Sequence, residues 1–230
     1  MVGAVWVYTL VPATLAVIAA AITIRVRPGP VLVSTIQHFA AGVVFAAAAG
    51  EVLPDVVHGA SPLATLVGGA AGIVAMLAIK QVETLVKGAL GLLIMIGIDL
   101  LVDGMVLGIG FSAGAKTGFL LMIALSLEVV FLAMALSTGL SKSANSPAKI
   151  VAITAVLMVL LPVGAILAAP VGAMPSEFST GFLTFGLIAL LYLVTEELLV
   201  EAHQTPDRPW VTAMFFVGFM MLLLLEEIMT

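Results

Sequence analysis

Long apolar runs fill this chain and constrain its fold more than any other feature. A membrane-spanning helix needs about 20 predominantly apolar residues. Charges, prolines and glycine clusters divide the sequence into eight runs of that kind. The runs cover approximately residues 3–24, 31–54, 62–80, 88–112, 117–140, 148–169, 179–202 and 209–229. We therefore predict an all-α membrane protein with eight transmembrane helices.

The segments between the runs are short, so residues 1–230 are predicted to form a single transmembrane domain. The composition supports this prediction, because 63% of the residues are hydrophobic and only 9% are charged. A soluble domain of this length carries far more charge. The chain has no cysteine, which excludes disulfides and thiolate metal sites. No basic patch supports nucleic-acid binding.

The basic residues indicate which helix ends face the cytoplasm, because cytoplasmic loops of membrane proteins are enriched in Lys and Arg. Seven of the eight basic residues follow odd-numbered runs. They are Arg25, Arg27, Lys80, Lys87, Lys142, Lys149 and Arg208. Only Lys116 lies at the opposite ends of the runs. We expect both termini outside, in a multi-pass protein of the plasma (inner) membrane.

Two of the runs resemble each other and are predicted to cross the membrane in opposite directions. FAAGVVFAAAAGEVLPD in the second run aligns with FGLIALLYLVTEELLVE in the seventh. The alignment places Phe39 on Phe185 and Glu51 on Glu197. An inverted repeat of spans 1–3 and 6–8 around central spans 4 and 5 is typical of transporters. Chance similarity between two apolar helices is the alternative.

Three acids lie well inside the fourth and fifth predicted spans. Asp99 and Asp103 are one turn apart on one face of the fourth span, about 6 Å along the helix axis. Glu128 lies near the middle of the fifth span. Because the loop between these two spans is short, the three carboxyl groups can meet near the membrane midplane. An ionised acid at a helix centre costs about 2.5–3.5 kcal/mol on insertion scales.

The sequence offers these acids no positive partner, because all eight basic residues lie at span edges or in loops. Protons or an external cation must then neutralise the carboxyl groups, which points to cation or proton transport. The alternative is that each acid is protonated and hydrogen-bonded to a neighbouring backbone or hydroxyl group.

Further acids and histidines lie near the predicted membrane faces. Glu51 and Asp55 end the second span at the outer face, where we expect them to attract cations at the entrance. A second group lies near the inner face and is expected to receive cations for release. It comprises Glu197, Glu201, His203 and His38. For both groups the alternative is a solvated helix end or a packed histidine.

Four motifs carry a resemblance to a known family. They are FAAGVVFAAAAGEVLPD in the second span, DLLVDG in the fourth, LPVGAIL in the sixth and LYLVTEELLVEAH in the seventh. In order and spacing they resemble the ZIP (Zrt/Irt-like) divalent-metal transporters over nearly the whole chain. The resemblance implies uptake of Zn, Fe, Mn or Cd as cargo into the cytoplasm. It implies no cofactor, and a homodimer as the assembly.

Several residues depart from the ligand pattern of that family. Asp99 stands where the family has a histidine, whereas Asp103 matches its fourth-span acid. In the fifth span, Ser126 stands at the family's histidine, Glu128 lies two residues from the ligand register, and Leu161 of the sixth span replaces a glutamate. The resemblance therefore implies ligands at Asp99 and Asp103, with Glu128 and Ser126 completing the site. Carboxylates suit Mn²⁺, Mg²⁺ or Fe²⁺ better than Zn²⁺, so we expect weak zinc binding.

We predict a ZIP-type transporter and no enzymatic activity. The missing family ligands favour a different alternative, a ZIP-like fold that carries protons or another small solute instead of metal. An intramembrane aspartyl protease is a weaker alternative. Such enzymes usually hold two aspartates on different helices, whereas Asp99 and Asp103 share one, and the protease motif Gly-x-Gly-Asp is missing.

Overall fold

The computed structural model of the chain describes residues 5–85, 88–141, 146–206 and 208–229. All regular secondary structure in these ranges is helical, and eight helices there are long and apolar enough to cross a membrane. They are α1 (Val5–Val26), α2 (Pro30–His58), α3 (Pro62–Leu85), α4 (Ala89–Ala113), α5 (Ala115–Ser141), α6 (Pro147–Ala173), α7 (Ser176–Ala202) and α8 (Pro209–Met229). The predicted all-α fold with eight spans is confirmed. Lys87 and Lys142, used above to predict orientation, lie outside the described residues.

Prolines mark the start of several helices. Pro30, Pro62, Pro147 and Pro209 are each the first residue of a helix. Proline fits this position because the first N–H groups of a helix have no intrahelical acceptor. At α6 the preceding residue also contributes, since the side chain of Ser146 accepts a 3.3 Å hydrogen bond from a backbone N–H of the first turn. These local signals explain why the predicted helix starts were close to the observed ones.

One turn of π-helix interrupts each of α2 and α7, at Ala48–Val52 and Leu193–Leu198. Single π-turns of this kind occur frequently at functional sites. Glu51 lies in the π-turn of α2, and Glu197 lies in the π-turn of α7. These are the two acids that the sequence alignment superimposes. The same local irregularity therefore occurs at the same place in the two similar segments.

The helices pack around the central pair α4 and α5. Helix α1 packs along α5, and α6 packs along α4. These four helices share a core of aliphatic side chains. Helix α8 packs along α2, and α3 packs along α7. A second core forms where α2 and α7 meet α4 and α5. Buried residues are most frequent in α5 and least frequent in α3 and α8, which therefore lie at the periphery.

Close backbone contacts hold the peripheral helices against their partners. A Cβ atom on Gly218 of α8 would collide with the Phe39 carbonyl group of α2. A Cβ atom on Gly72 of α3 would lie 3.3 Å from the Phe185 carbonyl oxygen of α7 and 2.9 Å from Ile188 Cβ. Small residues allow membrane helices to approach in this way. Since Phe39 and Phe185 are also superimposed by the alignment, the two helix pairings occur at matching positions.

Large apolar side chains cover the outside of the bundle. Leu63 and Leu66 of α3 are 72% and 69% exposed, and Phe216 of α8 is 67% exposed. Extended apolar surfaces of this kind are rare on soluble monomers. They suit contact with lipid chains. Together with the eight apolar helices, they indicate a multi-pass integral membrane protein whose surroundings are the bilayer.

Candidate cation site

Two carboxyl groups are buried where α4 and α5 meet. A single residue, Gly114, joins these helices, which pack against each other as neighbours. Asp103 of α4 is 5% exposed, and Glu128 of α5 is completely buried. The structure therefore brings together acids from the fourth and fifth spans, as the short connection between them suggested.

The protein supplies few hydrogen-bond donors to this pair. Asp103 Oδ2 and both carboxyl oxygens of Glu128 are buried and have no partner. The two carboxyl groups nevertheless lie close enough to affect each other electrostatically. Two ionised carboxylates repel each other, so a proton or a cation is needed to neutralise the pair. Within the described ranges, no lysine, arginine or histidine forms an ion pair with either acid.

A small cavity of about 20 Å³ lies beside the buried pair. Asp99 and Asp103 of α4 and Glu197 of the α7 π-turn contribute to its wall. Glu128 is close enough to these three acids to interact with them electrostatically. A space of this size holds about one water molecule. Four acids from three helices thus line or adjoin one small cavity.

These acids do not form a complete metal centre in this conformation. Among the residues that the structure describes, no three His, Cys, Asp or Glu side chains converge closely enough to hold a metal ion. An ion beside Asp103 and Glu128 would need water molecules, or a movement of the helices, to complete its coordination. Cations that keep part of their water shell, such as Mg²⁺ and Mn²⁺, suit such a site better than Zn²⁺.

Ser126 was predicted to complete the ligand set but points elsewhere. Its hydroxyl group donates a 2.6 Å hydrogen bond to the carbonyl oxygen of Met122 in its own helix. Residues two apart are separated by about 200° around a helix. Ser126 and Glu128 therefore leave α5 on nearly opposite sides, and the structure does not bring them together. The assignment of Ser126 as a ligand stays a prediction.

The predicted entrance acids lie at one end of α2, beside the start of α5 and the end of α8. Lys116 Nζ is 3.5 Å from Glu51 Oε1 and 3.3 Å from Glu226 Oε1. The Thr117 hydroxyl group donates to Glu51 Oε2 at 3.1 Å and lies 3.4 Å from Asp55 Oδ2. Glu51 is only 6% exposed. The structure therefore places a lysine of the protein itself among the predicted entrance acids.

Two histidines bring α2 and α7 together at the opposite end of the bundle. The ring centroids of His38 and His203 are 5.1 Å apart. His38 Nδ1 lies 2.8 Å from the Ser34 carbonyl oxygen, and His203 Nδ1 lies 2.6 Å from the Leu199 carbonyl oxygen. A carbonyl oxygen only accepts, so Nδ1 is the donor in both contacts. The other ring nitrogen of His38, Nε2, is buried without a hydrogen-bond partner.

The four predicted release residues fall into two groups in the structure. Glu201 lies near the histidine end of α7, where Glu201 Oε2 accepts a 3.0 Å hydrogen bond from Gln37 Nε2. Glu197 instead lines the cavity beside Asp99 and Asp103. Sequence position alone grouped Glu197 with Glu201, because both are on α7 near its end. The release roles of all four residues stay predictions.

The sequence did not predict the contact between Lys116 and Glu226. The two residues are 110 positions apart, and no motif links them. One signal was present in the sequence. Lys116 is the single basic residue that lies away from the other seven, so a dedicated acidic partner for it was a reasonable expectation.

No family model matches the sequence, and no curated protein matches it. The chemistry of the buried acids and the packing of the helices around them therefore carry the functional argument.

Proposed function

We propose that this chain is a ZIP-type transporter that moves a divalent metal ion, Zn, Fe or Mn, into the cytoplasm past Asp99, Asp103 and Glu128. One observation carries the proposal. The buried carboxyl groups of Asp103 and Glu128 face each other, and no basic residue in the described part of the chain pairs with either. Ionisable groups inside a membrane are costly and mark ion pathways when they are kept. A cation from outside the protein is the partner that these acids lack.

An inverted repeat of α1–α3 and α6–α8 around α4 and α5 is part of this proposal. The π-turns at aligned positions of α2 and α7 support it. The helix pairings also support it. Helix α8 packs along α2 as α3 packs along α7, and α1 packs along α5 as α6 packs along α4. Each pairing maps onto its counterpart when the two halves are exchanged. Transporters of this design bind their substrate near the midplane, where the repeats meet. The four acids lie on α4, α5 and the π-turn of α7.

We also propose that both termini face outward in the plasma (inner) membrane, with a homodimer as the assembly. The distribution of basic residues supports the orientation. Lys116 was its single exception, and the pairing of Lys116 with Glu51 and Glu226 supplies a local reason for that exception. Because the chain has no cysteine, a single cysteine added at either terminus can be labelled from one side of the membrane to test this orientation.

Replacing Asp99 and Asp103 together by alanine is expected to abolish metal uptake. The change removes two of the four acids at the cavity, including one member of the buried pair. Uptake is measured in proteoliposomes with Mn²⁺, Fe²⁺, Zn²⁺ and Cd²⁺. Thermal stability of the detergent-purified protein is measured with the same ions and with Mg²⁺ and Ca²⁺. A ligand at 100 times its Kd stabilises the folded state by about 2.7 kcal/mol.

The matched control for this experiment is Glu177→Ala with Glu227→Ala, which removes two acids from exposed helix ends. The control variant should retain both uptake and the metal-dependent rise in melting temperature. Unchanged uptake in the Asp99→Ala/Asp103→Ala variant would show that the cation does not pass these acids. That outcome would remove the site from the proposal.

Proton or small-solute transport is the second candidate, and one observation favours it. No three potential ligands converge within the described ranges, while a shared proton would satisfy the contact between Asp103 and Glu128. This candidate predicts no stabilisation by any of the six ions. It predicts a proton flux in proteoliposomes that Asp103→Asn abolishes. Metal-dependent stabilisation that the same variant loses would favour the first candidate instead.

A further inference from the structure

At the end of the bundle proposed to face outward, a lysine side chain of the protein lies among the acids. Lys116 lies at the start of α5, and its ammonium group contacts carboxyl groups of two other helices. The distances are 3.5 Å to Glu51 of α2 and 3.3 Å to Glu226 of α8. The neighbouring Thr117 adds a hydroxyl contact to Glu51 and a longer one to Asp55. Two adjacent residues of α5 therefore connect the ends of three helices.

The backbone of α2 is shaped to admit this contact. Gly50 lies in the π-turn beside Glu51, and a Cβ atom on Gly50 would lie only 2.9 Å from Glu226 Oε2. A Cβ atom at this position would require the Glu226 carboxylate to shift. The missing side chain thus leaves room for this carboxylate beside the π-turn of α2.

The two π-turns place their aligned acids in different surroundings. Glu197 of α7 lies with Asp99 and Asp103 at the midplane cavity. Glu51 of α2 lies against Lys116. The two aligned acids therefore have different neighbours. Glu197 lines a cavity with two other acids, whereas Glu51 contacts a lysine of the protein itself.

The burial of the three side chains indicates that their contact stabilises this end of the bundle. It also indicates that another cation can reach the same carboxylates. Glu51 is 6% exposed, so leaving its carboxylate without a positive partner would be costly. The side chain of Lys116 is 36% exposed, and that of Glu226 is 25% exposed. A cation arriving from the outer side can therefore approach the same carboxylates and compete with the ammonium group.

We propose that Lys116 is a tethered cation that closes the outer end of the bundle by holding α2, α5 and α8 together, and that an incoming cation has to displace it. The joining of the three helix ends by Lys116 follows from the contacts. That this end faces outward, and that the ammonium group is displaced during uptake, rest on the proposed function. Lys116 is in this view a positioning residue, because it acts through Glu51 and Glu226 and not on the transported ion.

Access from the outer side to the midplane cavity tests the closure directly. The chain has no cysteine, so Val106→Cys introduces a single reactive thiol in the wall of the cavity. A membrane-impermeant thiol reagent is added from the outer side, and the labelling rate is measured. In this background Lys116→Gln should raise the rate about tenfold, since it removes the charge that pairs with a buried carboxylate.

Three matched variants separate closure from a general loss of stability. Lys116→Arg keeps the charge, so the cysteine introduced at position 106 should be labelled as slowly as in the parent. Lys80→Gln removes a lysine that pairs with Glu196 of α7, away from the Lys116 contact, and should also leave the rate unchanged. Combining Glu51→Gln with Lys116→Gln should add little to the effect of Lys116→Gln alone, because both changes break the same contact. Melting temperatures of all variants are recorded alongside.

Equal labelling of the Lys116→Gln and Lys116→Arg variants would overturn the proposal, as would an equally large rise in Lys80→Gln. If Lys116→Gln does not fold, Glu226→Gln takes its place, because it removes the more exposed half of the contact and should give a smaller rise in the same direction. No rise in either variant also overturns the proposal. The labelling rate does not depend on cargo. If the labelling rate rises but the protein transports no metal, closure by Lys116 is supported and the proposed transport function is contradicted.

Discussion

Replacing Glu128 by glutamine is expected to raise the melting temperature of the purified protein and to abolish cation uptake. Glu128 is completely buried, and neither of its carboxyl oxygens has a donor. The glutamine amide can donate a hydrogen bond to Asp103, and it removes a negative group from the vicinity of Asp99 and Glu197. Satisfying a buried polar group in this way is worth about 1–3 kcal/mol. Thermal unfolding in detergent and uptake in proteoliposomes measure the two effects.

The opposite signs of these effects make the test specific. A residue that only supports the fold loses stability and activity together when it is changed, whereas a binding residue is often kept at a cost in stability. Glu227→Gln at the exposed end of α8 makes the same chemical change and should alter neither property. A Glu128→Gln protein that melts at a lower temperature than the parent and still takes up cations would contradict the assignment of Glu128 to the site.

A single methyl group at Gly104 is expected to separate α4 from α6 and to lower the yield of folded protein. A Cβ atom there would collide with the Leu161 carbonyl group, and a Cβ atom on Gly164 would collide with the Leu101 carbonyl group. Backbone atoms cannot turn aside as a side chain can, so the helices must move apart. Overpacking of this kind costs about 1–3 kcal/mol. Gel filtration and thermal unfolding of Gly104→Ala measure the loss, and uptake should fall as well because Asp103 is the preceding residue.

Gly97→Ala is the matched control, one and a half to two turns away on the same helix. A Cβ atom on Gly97 would lie 3.2 Å from Leu160 Cδ1, the end of a flexible side chain that can shift. This variant should melt close to the parent temperature. Equal melting temperatures for Gly104→Ala and Gly97→Ala would show that the close contact between α4 and α6 does not limit the stability of the bundle.

The transmembrane helices could be predicted from the sequence because their cause is local. A helix that crosses lipid needs about 20 apolar residues, and prolines such as Pro30 and Pro209 mark where helices begin. The proximity of Asp103 and Glu128 could also be predicted from the sequence. A connection as short as the one between α4 and α5 leaves the two helices as neighbours, so acids near their middles can meet.

Other features depended on contacts between distant parts of the chain. The alignment placed Glu51 on Glu197, but no pattern in the sequence indicated a π-turn at either residue. Whether an acid at such a turn lies beside a lysine or beside other acids is decided by which helix packs against it. Ser126 differs, because its position in the family motif suggested a ligand while its hydroxyl group donates to the Met122 carbonyl oxygen of its own helix.

The sequence by itself determined the class of the protein, the number of its helices and their approximate bounds, and the presence of acids inside the spans away from every basic residue. These follow from hydrophobic length and from the cost of charge in a membrane, which depend on composition over short segments. Tertiary structure alone decided that Glu197 joins Asp99 and Asp103, and that Lys116 reaches Glu226. Both contacts join helices far apart in the chain, so they depend on how those helices pack against each other.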